Sequence, residues 1–268
     1  RCIPVDDAGA RDLDAAAGII GPATRVLAFS HASNVLGTIN PVGTLVAMAR
    51  QVGALTVLDA CQSAPHLPLD VKDLGVDFAV LSGHKMLGPT GIGVLYGRSE
   101  LLNALPPFLT GGSMITTVTM ERAAFLPAPQ RFEAGTQKVS QAIALAAAAN
   151  YLTETGMDRV HAWESLLGQR LVEGLSSIAG IRVLGPAPGE DRIGLASFDV
   201  AGVHAHDVGQ FLDSKGIAVR VGHHCAQPLH RRLGLTASTR ASTYLYNTTS
   251  DVDTFLAAVA GVRAYFGA

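Results

Sequence analysis

Three short runs concentrate the residues able to do chemistry, and each follows an apolar stretch. His31-Ala32-Ser33-Asn34 follows Thr24–Ser30 (TRVLAFS). Asp59-Ala60-Cys61-Gln62 follows Ala54–Leu58, and Ser82-Gly83-His84-Lys85 follows Asp77–Leu81 (DFAVL). In an open parallel sheet, ligands bind beyond the carboxyl ends of the strands. Taken singly, an Asp after a strand is a cap or turn residue and a Lys there is solvated. Three such clusters at neighbouring strand ends point to one site. A carboxylate keeps a heteroaromatic nitrogen protonated, and a lysine amine forms an imine. That is the pair pyridoxal phosphate (PLP) uses. Ser82 and His84 flank the lysine and can donate to a phosphate. The competing reading is a nucleotide fold, yet the chain has neither GxGxxG after an early strand nor GxxxxGK[ST]. Its nearest glycine-rich stretch, Gly88–Gly93 (GPTGIG), precedes a strand.

A second cluster is Arg220-Val221-Gly222-His223-His224-Cys225-Ala226. Arginine and histidine beside a thiol favour the nucleophilic thiolate, whereas a lone cysteine in a core is inert. Both readings of Cys225 stand on the residues alone. A metal site is not expected, because three consecutive residues do not converge on one ion and no other cluster adds ligands. Arg240, in STRAS, is either a surface arginine or a bidentate carboxylate clamp, and it leads into a strand-like run, ASTYLY.

The elements that must position these residues alternate. Strands are expected at Thr24–Ser30, Ala54–Leu58, Asp77–Leu81 and Gly91–Tyr96, with a helix over Pro41–Gly53 opened by proline and closed by glycine. Near-continuous apolar strands separated by helices predict a sheet covered on both faces. After about residue 100 come loops with hairpin potential, then a largely helical stretch over Val139–Ile178. Strands near Ile181–Leu184, Ile193–Val200 and Ile217–Arg220, with helices over Ala205–Lys215 and Asp251–Tyr265, complete an α+β region.

The 268 residues carry 20 Lys plus Arg against 22 Asp plus Glu, a formal charge of -2, and 48% of them are hydrophobic. That balance excludes disorder, and without a basic excess no nucleic-acid binding is expected. No run is long and apolar enough for a membrane helix. Cys2, Cys61 and Cys225 form no CxxC, so a disulfide framework is not expected, and the location is expected to be cytoplasmic. The acidic N-terminal run RCIPVDDAGARDLDA does not look like a signal peptide.

Taken together, FSHASNVLGTINPV, VLDACQSAPHLPLDV and FAVLSGHKMLGPTGIGVLYG resemble the class V aminotransferase-type enzymes of PLP fold type I. GGSMI, RFEAGT, RVGHHCAQP and RASTYLYNT are similar to the SufS-type (group II) cysteine desulfurases. The likeness runs from about Arg25 to Tyr265. It implies an α/β fold: part of a large domain with a mainly parallel sheet (1–137), plus a smaller C-terminal α+β domain carrying the cysteine loop (138–268). It implies that Lys85 forms the imine with PLP, Asp59 pairs with the pyridinium nitrogen and Gln62 bonds the ring oxygen. Ser82 and His84 would hold the phosphate, and Thr136 would reach the phosphate of the partner subunit in a homodimer. Asn34 would sit beside substrate and cofactor oxygen. Arg240, with Arg220 nearby, would bind the substrate carboxylate.

The implied reaction takes L-cysteine to L-alanine, with Cys225 as the persulfide-forming nucleophile. Sulfur would pass to a SufE- or SufU-type acceptor for iron–sulfur cluster assembly. A selenocysteine lyase acting on L-selenocysteine, another class V lyase, and an inactive truncated chain are the alternatives.

Members of this family are longer at the N-terminus. There they carry a histidine stacked on the cofactor and a threonine on its phosphate, and residues 1–24 match neither. The chain is expected to be the C-terminal two-thirds of such a protein, with strand edges and apolar surface left uncovered. These 268 residues alone are expected to bind PLP weakly and turn over little, with a longer chain restoring both. Tight PLP binding and normal turnover by the 268 residues would contradict this expectation.

Overall fold

The computed structural model describes residues 1–6 and 9–268. Asp7 and Ala8, within the acidic N-terminal run, lie outside the described residues. The first sheet contains β1 (Val26–Ser30), β2 (Leu55–Asp59), β3 (Phe78–Ser82) and β4 (Gly93–Gly97), in that order. β1, β2 and β3 are mutually parallel, and β4 runs antiparallel to β3. Helices α1 (Leu13–Ile19) and α2 (Val42–Gln51) cover one face, burying Leu27, Phe29 and Leu58. Pro41 occupies the N-cap of α2, and Gly53, just beyond its end, has φ 70°. This is the proline-first, glycine-last asymmetry.

The expected coverage of both sheet faces is met on one face only. Register places Val26, Leu55, Val57, Phe78, Val80 and Leu95 on the other face. There Val26 is 53% exposed and Leu95 55%. The apolar composition of these strands is that of a doubly covered sheet, while on this second face the described residues leave Leu55, Val57, Phe78 and Val80 only half-buried.

After α3 (Ser99–Ala104), the expected hairpin forms between β5 (Ile115–Val118) and β6 (Ala123–Phe125). The long helical stretch is two helices, α4 (Val139–Thr155) and α5 (Met157–Ser177), because Gly156 between them has φ 88°. α4 leans on the turn that follows β3, where Leu145 approaches Gly83 and Gly88.

The second sheet contains β7 (Ile181–Leu184), β8 (Leu195–Val200), β9 (Arg220–Gly222) and β10 (Ser238–Ser242). Its order is β7-β8-β10-β9 and every pairing is antiparallel. α5, α6 (Ala205–Asp213) and α8 (Thr249–Ala260) pack around it through Leu171, Phe198, Leu212 and Phe255. α8 starts at a reciprocal cap. Thr248 Oγ1 accepts from Asp251 N–H at 3.2 Å, and Asp251 Oδ2 accepts from Thr248 N–H at 2.8 Å. α7 (Gln227–Arg232) follows β9, and α9 (Val262–Phe266) ends the chain. Among the described residues, no helix is long and apolar enough to cross a membrane.

Two strand expectations are corrected. The stretch 217–219 is not a strand. Ile217 N–H donates to the Leu212 carbonyl at 3.0 Å, closing the end of α6, and the strand begins only at Arg220. ASTYLY is not a strand after Ser242. Arg240 lies inside β10, and the chain turns at Tyr244, whose N–H donates to Asn247 Oδ1 at 3.0 Å. Helix 251–265 is likewise interrupted at Gly261, and helix 205–215 ends at Asp213.

Phe198 is fully buried and meets the Phe255 ring edge-on at 5.8 Å. Phe198→Ala is expected to cost about 3–5 kcal/mol in urea unfolding. Phe108→Ala, at a site 91% exposed, should stay within about 0.5 kcal/mol. Equal losses would contradict the placement of the core.

Candidate active site

The carboxyl ends of β1, β2 and β3 stand side by side because the strands are parallel, with Ser30 opposite Asp59 and Asp59 opposite Val80. The ladder continues one residue further. His31 N–H donates to the Asp59 carbonyl and Ala60 N–H to the Val80 carbonyl, both at 2.9 Å. The three polar runs therefore leave the sheet together. The exposed Asp59 carboxylate accepts from Cys61 N–H at 2.9 Å. Lys85 ends a single 3-10 turn (Gly83–Lys85) that Met86 and Gly88 close by donating to the Gly83 carbonyl. A Cβ on Gly88 would stand 2.8 Å from that carbonyl oxygen, so only glycine fits. Lys85 Nζ donates to Gln62 Oε1 at 3.1 Å. Ser82 Oγ lies 3.4 Å from Cys61 Sγ. Burial pushes the Cys61 thiol up, with the Ser82 hydrogen bond acting against it, so Cys61 stays protonated.

Across from these ends lies the edge of the second sheet. Arg220 on β9 and Arg240 on β10 are direct cross-strand partners. Like charges placed opposite each other oppose pairing. Among the described residues, no salt bridge reaches either guanidinium. Burial, and then Arg220, lower the Arg240 pKa, and Arg240 Nε is buried without a partner. Such a pair can accept an anion, and a planar guanidinium matches the shape of a carboxylate. Arg220 also approaches Cys225 Sγ, at 3.8 Å.

The loop holding Cys225 is bent by three residues in the left-handed region: Gly222 (φ 116°), His224 (φ 50°) and Cys225 (φ 62°). For His224 and Cys225 this is uncommon backbone that the surroundings must hold. His224 supplies the anchor. Its Nε2 pairs with Ser238 Oγ at 3.1 Å, and His230 Nε2 meets the same hydroxyl at 2.9 Å. With His224 turned inward, Cys225 is exposed. Burial first, then Arg240, His230 and Arg220, bring the His224 pKa down to about 4, so the ring is neutral.

Asn34 joins the two sides. Its Nδ2 donates to the His224 carbonyl at 2.8 Å, and its own carbonyl accepts from Arg240 at 2.8 Å. The structure thus links Lys85 with Gln62, groups Asp59, Cys61 and Ser82, and ties Asn34, Arg240, Arg220 and the Cys225 loop together. His84 and Thr136 are exposed, and among the described residues no hydrogen bond joins either to the other candidates.

The family model for Aminotransferase class-V matches residues 1–255. The chain belongs to the class V aminotransferase family. It is 59% identical over 267 residues to the probable cysteine desulfurase 2 of Mycobacterium leprae, covering 100% of this chain and 63% of that protein. The structure of apo cysteine desulfurase from Thermococcus onnurineus NA1 superimposes with a TM-score of 0.93 at 40% identity, covering 98% of this chain and 65% of that one. A variant of C-DES with glycine covalently linked to its PLP cofactor matches with a TM-score of 0.83 at 25% identity, covering 97% of this chain and 67% of that one. The chain spans less than two thirds of the length of the first two of these relatives.

Within this class V chain, sequence reasoning missed His66, Glu164 and the Ser238–His230 anchor. His66 Nδ1 lies 2.6 Å from Glu164 Oε2, and His66 Nε2 lies 3.3 Å from Gln62 Nε2. Glu164 is fully buried on α5, on the stripe of Val160, Leu167 and Leu171. A charged residue on an otherwise apolar helical face was the legible signal. Burial raises the Glu164 pKa, and the His66 hydrogen bond acts against it.

The His224 shift makes a pH prediction. The unfolded chain takes a proton on this ring near 6.5, the folded chain only near 4. Stability contributed here is complete above 6.5 and falls as pH drops toward 4. Tm measured between about pH 7 and about pH 5 should fall less in His224→Asn than in the wild type, Asn being tolerant of left-handed backbone. Equal falls would contradict a buried neutral ring.

Proposed function

We propose that this chain carries the lysine- and thiol-bearing part of a PLP-dependent cysteine desulfurase of the SufS type, which converts L-cysteine to L-alanine. The observation that carries the reading is the opposed Arg220–Arg240 pair beside an exposed, left-handed Cys225, tied through Asn34 to the strand ends that hold Lys85. The residues fit the cofactor. Lys85 Nζ offers its amine beside a side-chain amide, Asp59 offers an exposed carboxylate at a strand end, and Arg240 keeps a buried N–H without a partner. When bound, the pyridoxal group supplies the electron sink for a carbanion at the substrate Cα.

The chain's own groups do the rest. Lys85 would hold the cofactor through its aldehyde carbon and would serve as the general base for the substrate Cα proton. Asp59 would keep the pyridine nitrogen protonated, Gln62 would donate to the ring oxygen, and Ser82 and His84 would hold the phosphate. Asn34 lies beside the substrate, and Arg240, with Arg220, binds its carboxylate. The Cys225 thiolate attacks the substrate sulfur. An S–S bond forms, the C–S bond breaks with its electron pair left on Cβ, and alanine results when Cβ takes up a proton and Cα regains the one that Lys85 removed. Residues 1–137 belong to the cofactor-holding domain and 138–268 to the domain carrying the thiol loop. The working unit is a cytoplasmic homodimer in which Thr136 reaches the partner subunit's phosphate. A SufE- or SufU-type acceptor takes the sulfur for iron–sulfur cluster assembly.

Borohydride reduction of the PLP-loaded protein followed by peptide mapping should place the pyridoxyl group on Lys85. Label on another lysine would overturn that role. Arg240→Lys should retain PLP yet raise the KM for cysteine roughly tenfold or more, since one ammonium cannot replace a bidentate guanidinium. An unchanged KM would move the clamp to Arg220.

A further inference from the structure

A chain of side chains leaves the site at Lys85 and ends inside the helix packing of the second half. Lys85 Nζ meets Gln62 Oε1 at 3.1 Å, Gln62 Nε2 meets His66 Nε2 at 3.3 Å, and His66 Nδ1 meets Glu164 Oε2 at 2.6 Å. Donor chemistry fixes the direction of all three contacts. A lysine ammonium only donates, so the Gln62 carbonyl oxygen must face it. The Gln62 NH2 then faces His66 and only donates, so His66 Nε2 must carry a lone pair. The ring proton therefore sits on Nδ1 and is donated to Glu164. The reverse order would set an amide NH2 against an ammonium, two donors with no acceptor.

We propose that Glu164 and His66 are positioning residues that lock the Gln62 amide, presenting its oxygen to Lys85 and leaving its second N–H for the cofactor. The last part rests on the PLP reading above. Glu164 occupies a position where α5 otherwise places apolar residues, and its Oε1 has no partner. A buried carboxylate with one hydrogen bond is costly, so it does not stand there for packing. The His66 ring also has an aromatic neighbour. Tyr244 packs edge-on at 5.1 Å and 85°, and its hydroxyl donates to the Pro65 carbonyl at 2.9 Å. The buried ends of the relay thus come from α5 and the turn after β10, while its working end is Lys85.

A plain structural pin between α5 and the 60–67 loop would leave Gln62 and the cofactor unaffected, so the test reads the His66 tautomer together with the cofactor band. Ring 15N shifts of His66 in the cofactor-free protein should show Nδ1 protonated and Nε2 bare. Nε2 protonated would overturn the proposal. Glu164→Gln still offers an oxygen to Nδ1–H and should keep that tautomer, whereas Glu164→Leu should lose the preference.

In the PLP-loaded protein, Glu164→Leu should shift the pH titration of the visible cofactor band, and Glu164→Gln should restore it. Turnover of Glu164→Leu should fall about tenfold, with the KM for cysteine within about twofold. A Leu variant with the wild-type tautomer and wild-type band would leave only a pin and overturn the proposal. If that variant does not fold, the wild-type tautomer and the Gln variant decide. Failure to take up PLP by a longer protein carrying these residues would sink the functional reading instead, while the tautomer result stands on its own.

Discussion

The Asn34 side chain donates to the carbonyl of His224 while its own backbone carbonyl accepts from Arg240. Through this one residue the carboxyl end of β1 is fastened to the thiol loop and to the guanidinium beside it. That junction sets the strand-end cluster directly against the arginine–cysteine cluster. With it, the turn bearing Lys85 and the loop bearing Cys225 belong to one arrangement. The geometry is further braced by fully buried Arg192, whose guanidinium donates to the Leu36 and Pro186 carbonyls. Burial lowers its pKa to about 10, which still leaves it charged at neutral pH.

The thiol loop shows how local strain and buried polarity act together. A non-glycine residue with positive φ persists only where neighbours over-determine it. Here His224 and His230 share the Ser238 hydroxyl, and the neutral His224 ring fills the interior so that the next residue must point outward. The positive charge near the sulfur comes from Arg220, since the adjacent His224 is uncharged at neutral pH. Sequence reading credited both histidines equally, and burial separates them: His224 is 2% exposed while His223 is exposed.

Much of this was legible in the chain because β1, β2 and β3 are short apolar runs closed abruptly by polar residues, and a parallel sheet aligns those ends. The stretch 217–219 was misread because Ile217 and Val219 alternate as a strand does, while the backbone uses Ile217 to close α6. ASTYLY was misread because β-branched and aromatic residues signal strands, whereas Tyr244 is needed in a turn that docks on Pro65. The link from His66 to Glu164 spans 98 positions, and no local pattern carries so distant a partner. The open sheet face is a further difference. Its apolar residues are fitted for cover, and composition does not say what supplies it.

The account stands or falls on where sulfur goes. Incubating the PLP-loaded protein with L-cysteine and no acceptor, then mapping peptides by mass, locates any added sulfur atom directly. The account predicts one extra sulfur on the peptide containing Cys225, alanine released in equal amount, and no addition at Cys61 or Cys2. Extra sulfur on Cys61, or alanine formed with Cys225 unmodified and free sulfide in solution, would contradict it.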